Sequence, residues 1–219
     1  MSKALVIVDI AYKGPRRTGR GTGKQGLKAT LRYLQYRDKR NNHLAQQRGV
    51  ERWHDRGLGL HHRAIYDNCL KLGSRHVIAW TWVVSPAPDL LALVPERDRP
   101  ALLNALTERV IEEYYTQRGL DVPEYAYVQH RALTKTTQDQ PEMEHLHTHV
   151  ILPGTAPGIT ERLPVYNNVS KGHAALLHEI AEKHFAEALD RMLDHDWRYL
   201  RPDLKRDVPA PDDFDMWFS

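Results

Sequence analysis

Cysteine is almost absent from this sequence: Cys69 is the single one among 219 residues. No intramolecular disulfide can form, a cysteine-built zinc cluster is excluded, and a reducing compartment is expected. Long apolar runs are missing as well. The N-terminal stretch ALVIVDI, residues 4–10, is too short for a secretory core with a cleavage site, and nothing approaches the ~20 apolar residues of a membrane span. A cytoplasmic protein without a membrane partner is therefore expected. Acids are scarce in one region. Between Lys13 and Arg40 there are ten Lys or Arg and one acid, Asp38, although the formal net charge of the whole chain is only +3. The length suits one domain with a substantial core, here assigned to residues 1–208. The remainder, 209–219 (PAPDDFDMWFS), differs in kind, with three aspartates interleaved with and followed by the aromatics Phe214, Trp217 and Phe218. Such a tail either docks on its own domain, the commoner use, or serves as a docking peptide for another protein.

A charge run is usually a solvated face. Here Arg16, Arg17, Arg20, Lys24, Lys28, Arg32, Arg37, Lys39 and Arg40 are nearly unrelieved by acid, and Tyr33 and Tyr36 stand among them. Cations that neutralise phosphates, interleaved with aromatics that stack on bases, form the electrostatic footprint of nucleic-acid binding. The glycines of GTGKQG, 21–26, match a dinucleotide fingerprint only formally. That motif must follow a strand directly and open a βαβ unit, whereas about ten residues of basic loop intervene here. A phosphate-cradling Walker loop fails too, because Lys24 is followed by Gln25.

Strand patterns lie at ALVIVDI (4–10), HVIAWTWVV (76–84), EYAYVQHR (124–131) and HLHTHVILP (145–153), with LPVYN as a further edge candidate. Helical spacing begins near Leu27, recurs through Leu103, Leu106, Val110 and Tyr114 after the Asp98 and Pro100 start signals, and recurs again through Leu177, Ala181, Phe185, Ala188 and Met192. This mixture predicts an α/β (α+β) architecture, a central antiparallel β-sheet covered by helices. On the first helix Leu27, Leu31 and Leu34 share a face, with Tyr33 at its border and Tyr36 nearly opposite.

Of the 13 histidines, the set in HLHTHVIL is different from the rest. In a strand, alternate side chains share a face, so His145, His147 and His149 would stand together, opposite Leu146, Thr148, Val150 and Leu152. Three adjacent imidazoles without a common ligand would be hard to satisfy, and a divalent cation bound by two of them and a third from elsewhere resolves this. If the strand carrying His130 pairs with this one, that third imidazole is at hand.

In chain order, GLKATLRYLQYRD, YAYVQHR and HTHVILPG resemble the tyrosine, lone-histidine and paired-histidine motifs of the HUH endonuclease superfamily, most closely its mobilization-type plasmid relaxases. HVIAWTWVVSP resembles the family's inner strand, and the similarity spans from about Ala4 to Asn168. The resemblance implies an HUH relaxase fold and an enzyme that nicks single-stranded DNA at a transfer origin through a 5′-phosphotyrosine intermediate, for plasmid mobilization or conjugation. By position it makes Tyr33 the nucleophile. It makes His130, His147 and His149 the metal ligands, preferring His147/His149 over His145/His147 because the apolar run follows directly. It implies Mg²⁺ or Mn²⁺, with Zn²⁺ as the alternative, and accessory mobilization or coupling proteins as partners. Relatives often supply a carboxylate to orient a ligand. HVIAWTWVV has none, which leaves Glu142, Glu144 and the neighbouring His145 as candidates. The alternatives are a rolling-circle replication initiator, in which the tyrosine generally follows the histidine pair, and a non-catalytic nucleic-acid-binding protein.

Overall fold

Five strands build the central sheet of the computed structural model, which describes residues 4–15, 23–36, 53–133, 144–157, 162–166 and 172–200. They are β1 (Val6–Lys13), β2 (His54–Arg56), β3 (Ala79–Pro86), β4 (Tyr125–Leu133) and β5 (Glu144–Pro153), in the order β1-β3-β5-β4-β2 with every pair antiparallel. Two short strands, β6 (Thr155–Pro157) and β7 (Arg162–Pro164), form a separate ribbon. The helices are α1 (Lys24–Tyr36), α2 (His62–Lys71), α3 (Pro88–Leu91), α4 (Arg99–Gln117) and α5 (His173–Met192), followed by a 3₁₀ turn, Trp197–Leu200. The expected class, a mixed fold around an antiparallel sheet, is the one observed.

Alternation along the strands sorts residues between two layers. One face collects Val6, Val8, Trp80, Trp82, Val84, Tyr125, Tyr127, Leu146, Val150 and Leu152, and α4 and α5 cover it. Both helices place apolar side chains at steps of three and four residues. Leu103, Leu106, Val110 and Tyr114 of α4 are buried, as are Leu177, Ala181, Phe185 and Leu189 of α5. Met192, at the end of the α5 stripe, is instead exposed. Each large apolar side chain fully withdrawn from water contributes roughly 1.5–3 kcal/mol, so this layer is the main source of stability. Among the described residues, the opposite face is covered at one end, where Leu27, Leu31 and Leu34 of α1 and Ile65 and Cys69 of α2 pack on Ala79, Ala126, Val128 and Ile151.

Several boundaries differ from the sequence reading. The inner strand begins at Ala79 rather than His76, because Ser74 Oγ accepts the N–H groups of His76 and Val77 and holds that segment as a turn. The Ser85-Pro86-Ala87-Pro88 stop leads straight into the single turn α3, with Pro88 at its start. In LPVYN the strand ends at Pro164, and Val165 and Tyr166 turn into the main core instead. Helix α2 was not foreseen. Its buried residues are few, His62, Ile65 and Cys69, and its remaining polar composition disguises the period.

Candidate metal and nucleic-acid site

Strand register assembles the histidines. His130 of β4 stands directly opposite His147 of β5, and His149 follows two residues along on the same face. Ring centroids are 4.7 Å apart for His130 and His149, 5.0 Å for His147 and His149, and 5.9 Å for His130 and His147. One ligand nitrogen from each lies within 4.8 Å of the others. Two imidazole nitrogens each ~2.1 Å from a shared ion stand roughly 3–4 Å apart, so small side-chain rotations suffice for the three to share a cation. His130 and His147 are buried and His149 is partly open, which leaves one side of the cluster approachable.

His145 stands next along β5, its ring 4.9 Å from that of His147, and its Nε2 is 2.6 Å from Ser85 Oγ of β3. It therefore neighbours the trio, tied to the adjacent strand. His147 Nδ1 is 3.3 Å from the His145 carbonyl, a long contact.

Between the histidines, residues pointing the other way fasten both strands to α4. Thr148 Oγ1 is 2.8 Å from Thr107 Oγ1, which lies 2.8 Å from the Leu103 carbonyl. Gln129 Nε2 donates to the Pro100 carbonyl at 2.6 Å and to Asn104 Oδ1 at 2.5 Å. Sequence reasoning passed over Thr148 and Gln129. The signal was present in Thr148, a hydroxyl on a face otherwise occupied by Leu146, Val150 and Leu152.

The first helix reaches the cluster by its C-terminal turn. His130 Nε2 is 2.8 Å from the carbonyl oxygen of Leu34. The next residue, Gln35, is buried, and its Oε1 accepts both the backbone N–H of His62 (2.8 Å) and His62 Nδ1–H (2.7 Å). Tyr36 packs edge-on against His62, with ring centroids 5.5 Å apart. It is therefore half-buried against the first turn of α2 rather than turned to solvent. Tyr33 is 48% exposed, and Lys24, Lys28 and Arg32 are exposed on the same helix. Arg16, Arg17, Arg20, Arg37, Lys39, Arg40 and Glu142 lie outside the described residues, as does the segment 209–219.

Glu144 does not orient a histidine. Its carboxylate is 2.9 Å from Arg131 Nη1 and 3.5 Å from Arg99 Nη1. The reason is alternation: even-numbered residues of β5 face away from the odd-numbered histidines. Among the described acids of the five sheet strands, two stand on the histidine face: Asp55 on the edge strand β2, opposite Ala126, and Asp9, exposed on β1 and aligned across the sheet through Val83 with His149. The sequence reading did not single out Asp9, because it sits inside an apolar run.

Burial holds the His62 pKa below its usual value, and the positive charges of His61, Arg63, Arg32 and Lys28 push the same way. Lys28, Arg32 and Arg63 thus form a cationic surface spanning α1 and the first turn of α2.

No family model matches the chain, and no curated protein matches it. Among solved structures, one described as "The structure of TrwC complexed with a 27-mer DNA comprising the recognition hairpin and the cleavage site" is similar over 84% of this chain and 69% of that chain, at 12% identity and a TM-score of 0.49. At that score the likeness carries no argument, and the functional reading rests on the residues of this chain. No described helix is long and apolar enough to cross a membrane.

Proposed function

We propose that this chain is a relaxase-type enzyme of the HUH class, a site- and strand-specific endonuclease and transesterase acting on single-stranded DNA at a transfer origin. The observation that supports it best is the contact between His130 and the Leu34 carbonyl, because it joins the histidine cluster to the helical turn that carries Tyr33.

In this reading Tyr33 Oη attacks the scissile phosphorus. A bond forms from Oη to phosphorus, the bond from phosphorus to the 3′-oxygen breaks, and the 5′ end stays on the protein as a phosphotyrosine. The phenol loses its proton and the departing 3′-oxygen gains one, so the exchange is balanced and a later 3′-hydroxyl reverses it without an external energy source. Lys28 and Arg32 neutralise backbone phosphates and hold the strand along α1. A divalent cation, Mg²⁺ or Mn²⁺ with Zn²⁺ as the alternative, held by His130, His147 and His149, would draw charge from a non-bridging phosphate oxygen as a Lewis acid. Three neutral imidazoles match Zn²⁺ best and leave Mg²⁺ or Mn²⁺ to complete its shell with oxygens from the phosphodiester and water, and they bring no negative charge that would repel the substrate. Accessory mobilization or coupling proteins would bring the enzyme to its DNA in the cytoplasm.

The tyrosine precedes the histidine pair in this chain, which favours a relaxase over a rolling-circle initiator. The test is incubation with a pool of single-stranded oligonucleotides and Mn²⁺, followed by recovery of DNA that stays on the protein in denaturing detergent. Wild type is expected to yield an adduct and Tyr33→Phe none. An adduct that persists in Tyr33→Phe removes this nucleophile, and the absence of any adduct from wild type favours a binding-only protein.

A further inference from the structure

The loop before α2 presents an apolar side chain that the reaction above does not use. Leu60 is 69% exposed, yet the turn holding it is firmly braced. Gly59 donates its N–H to Asp55 Oδ1 at 2.7 Å, Asn68 Nδ2 donates to the Leu58 carbonyl at 3.0 Å, and Leu58 itself is fully buried. Gly59 takes φ +126, a conformation that few other residues adopt. An exposed leucine normally needs no explanation, but one fixed on a braced turn beside a cationic surface is placed to touch something.

The start of α2 beside it is basic, with Asp67 following one turn later. Arg63 is exposed in the first turn of α2, and His61 caps that turn by accepting the Arg63 N–H at 3.3 Å. His61 stacks near His62, with centroids 4.2 Å apart, and His62 is bonded to Gln35 in the last turn of α1. Arg63, Arg32 and Lys28 are thus gathered around His62, which joins the turn carrying Leu60 to the end of α1. Lys28 and Arg32, four residues apart, share one side of α1. The sequence of α1 contains no acid, the first turn of α2 has none, and Lys28, Arg32 and Arg63 enter no ion pair among the described residues.

The geometry points to the Leu60–Arg63 turn as a second wall of the single-stranded DNA surface, with Arg63 on a backbone phosphate and Leu60 against the face of an unpaired base. This deepens the reading under Proposed function and rests on single-stranded DNA being the ligand. An apolar knob between cations meets the open base faces of a single strand without the cost of unstacking that a duplex would add.

The experiment measures binding without chemistry. A fluorescein-labelled mixed-sequence single strand is titrated with the full chain in the presence of EDTA at several salt concentrations. Arg63→Ala is expected to weaken binding and to flatten the dependence of log affinity on log salt by about 0.7, the loss of one phosphate contact to a single strand, while Arg63→Lys keeps the slope. Leu60→Ser is expected to weaken binding severalfold with the slope unchanged. Thermal melting of these surface variants should match wild type. The wall is overturned if both variants bind as wild type does, if wild type prefers the duplex of the same sequence, or if it binds neither. Binding that responds as described in a protein that never forms an adduct leaves this surface standing and removes the proposed reaction.

Discussion

Nε2 of His130 lies 2.8 Å from the carbonyl oxygen of Leu34, so a side chain of the histidine cluster also contacts the last turn of α1. A neutral imidazole donating from Nε2 offers its lone pair at Nδ1, which lets the helix carbonyl set how the ring is presented. His130→Ala should therefore do two things at once, whereas His149→Ala leaves the α1 contact in place. In metal-free protein, denaturant unfolding should find His130→Ala less stable than His149→Ala by about 1–3 kcal/mol, the usual cost of stranding a buried acceptor. Equal stabilities would show that the carbonyl contact holds nothing.

Gln35 closes the same turn from the other side. Its Oε1 takes two hydrogen bonds from His62, and leucine there would leave both donors buried without an acceptor. Gln35→Leu is expected to lose about 1–3 kcal/mol. Hydrogen exchange should quicken at the amides of the last turn of α1. Because Gln35 is buried and does not face the strand, adduct formation should slow while affinity for single-stranded DNA in EDTA stays near wild type. Equal losses in both would assign Gln35 a general structural role.

The histidine trio was legible because a strand has a fixed period of two, and β5 keeps it without a bulge, so spacing alone assigned His145, His147 and His149 to one side. The same period explains why Glu144, named as a candidate from its nearness in sequence, faces Arg131 and Arg99 instead. The leucines of α1 and the long stripes of α4 and α5 were legible for a similar reason, since each element buries a continuous face. Helix α2 was hidden because half its contact surface is a buried histidine and a cysteine. The packing of Tyr36 was hidden by the same cause, since it depends on where α2 lies. The Leu34 contact has no sequence signal at all: it uses a backbone carbonyl, which every residue possesses. Ser85 on His145 and Thr148 on Thr107 are partnerships across strands and layers that only register fixes.

Gly154 tests how closely the sheet end is packed. A Cβ there would sit 2.0 Å from the Val77 carbonyl oxygen and 2.8 Å from its carbon, both backbone atoms that cannot rotate aside. The Gly154 N–H also donates to the Ile78 carbonyl at 2.9 Å, so the backbone cannot withdraw without breaking that bond. Gly154→Ala is expected to destabilise by about 1–3 kcal/mol, the range for overpacking a tight interior site. The strand end would shift where β5 passes into β6, far along β5 from the histidines, so metal binding by the folded variant should be unchanged. Calorimetry of the variant with and without Mn²⁺ checks both halves.

The last prediction concerns acid. Burial alone would raise the Glu108 pKa, but hydrogen bonds from Arg56 and from the Tyr127 hydroxyl, the latter at 2.5 Å, overcome it and hold the carboxyl below its usual value. The same bond and burial push the Tyr127 phenol well up, and His54, stacked on Tyr127 with centroids 4.6 Å apart, is pushed down chiefly by its own burial. A carboxyl with a depressed folded pKa contributes stability that is fully present above its unfolded value, here 4.5, and lost as pH falls through the folded one. His54 acts in the same direction at higher pH: it is favoured neutral in the fold, so stability declines once pH drops below the unfolded value of 6.5. Glu108→Gln cannot ionise, and the amide gives a weaker acceptor to Arg56 and Tyr127. Melting temperature should therefore be lower for the variant at pH 7, and the gap to wild type should narrow as pH is taken from 5 to 3. A gap that stays constant over that range would mean that the Glu108 carboxylate contributes nothing as an ion, and that its contacts at the β2 edge act through packing alone.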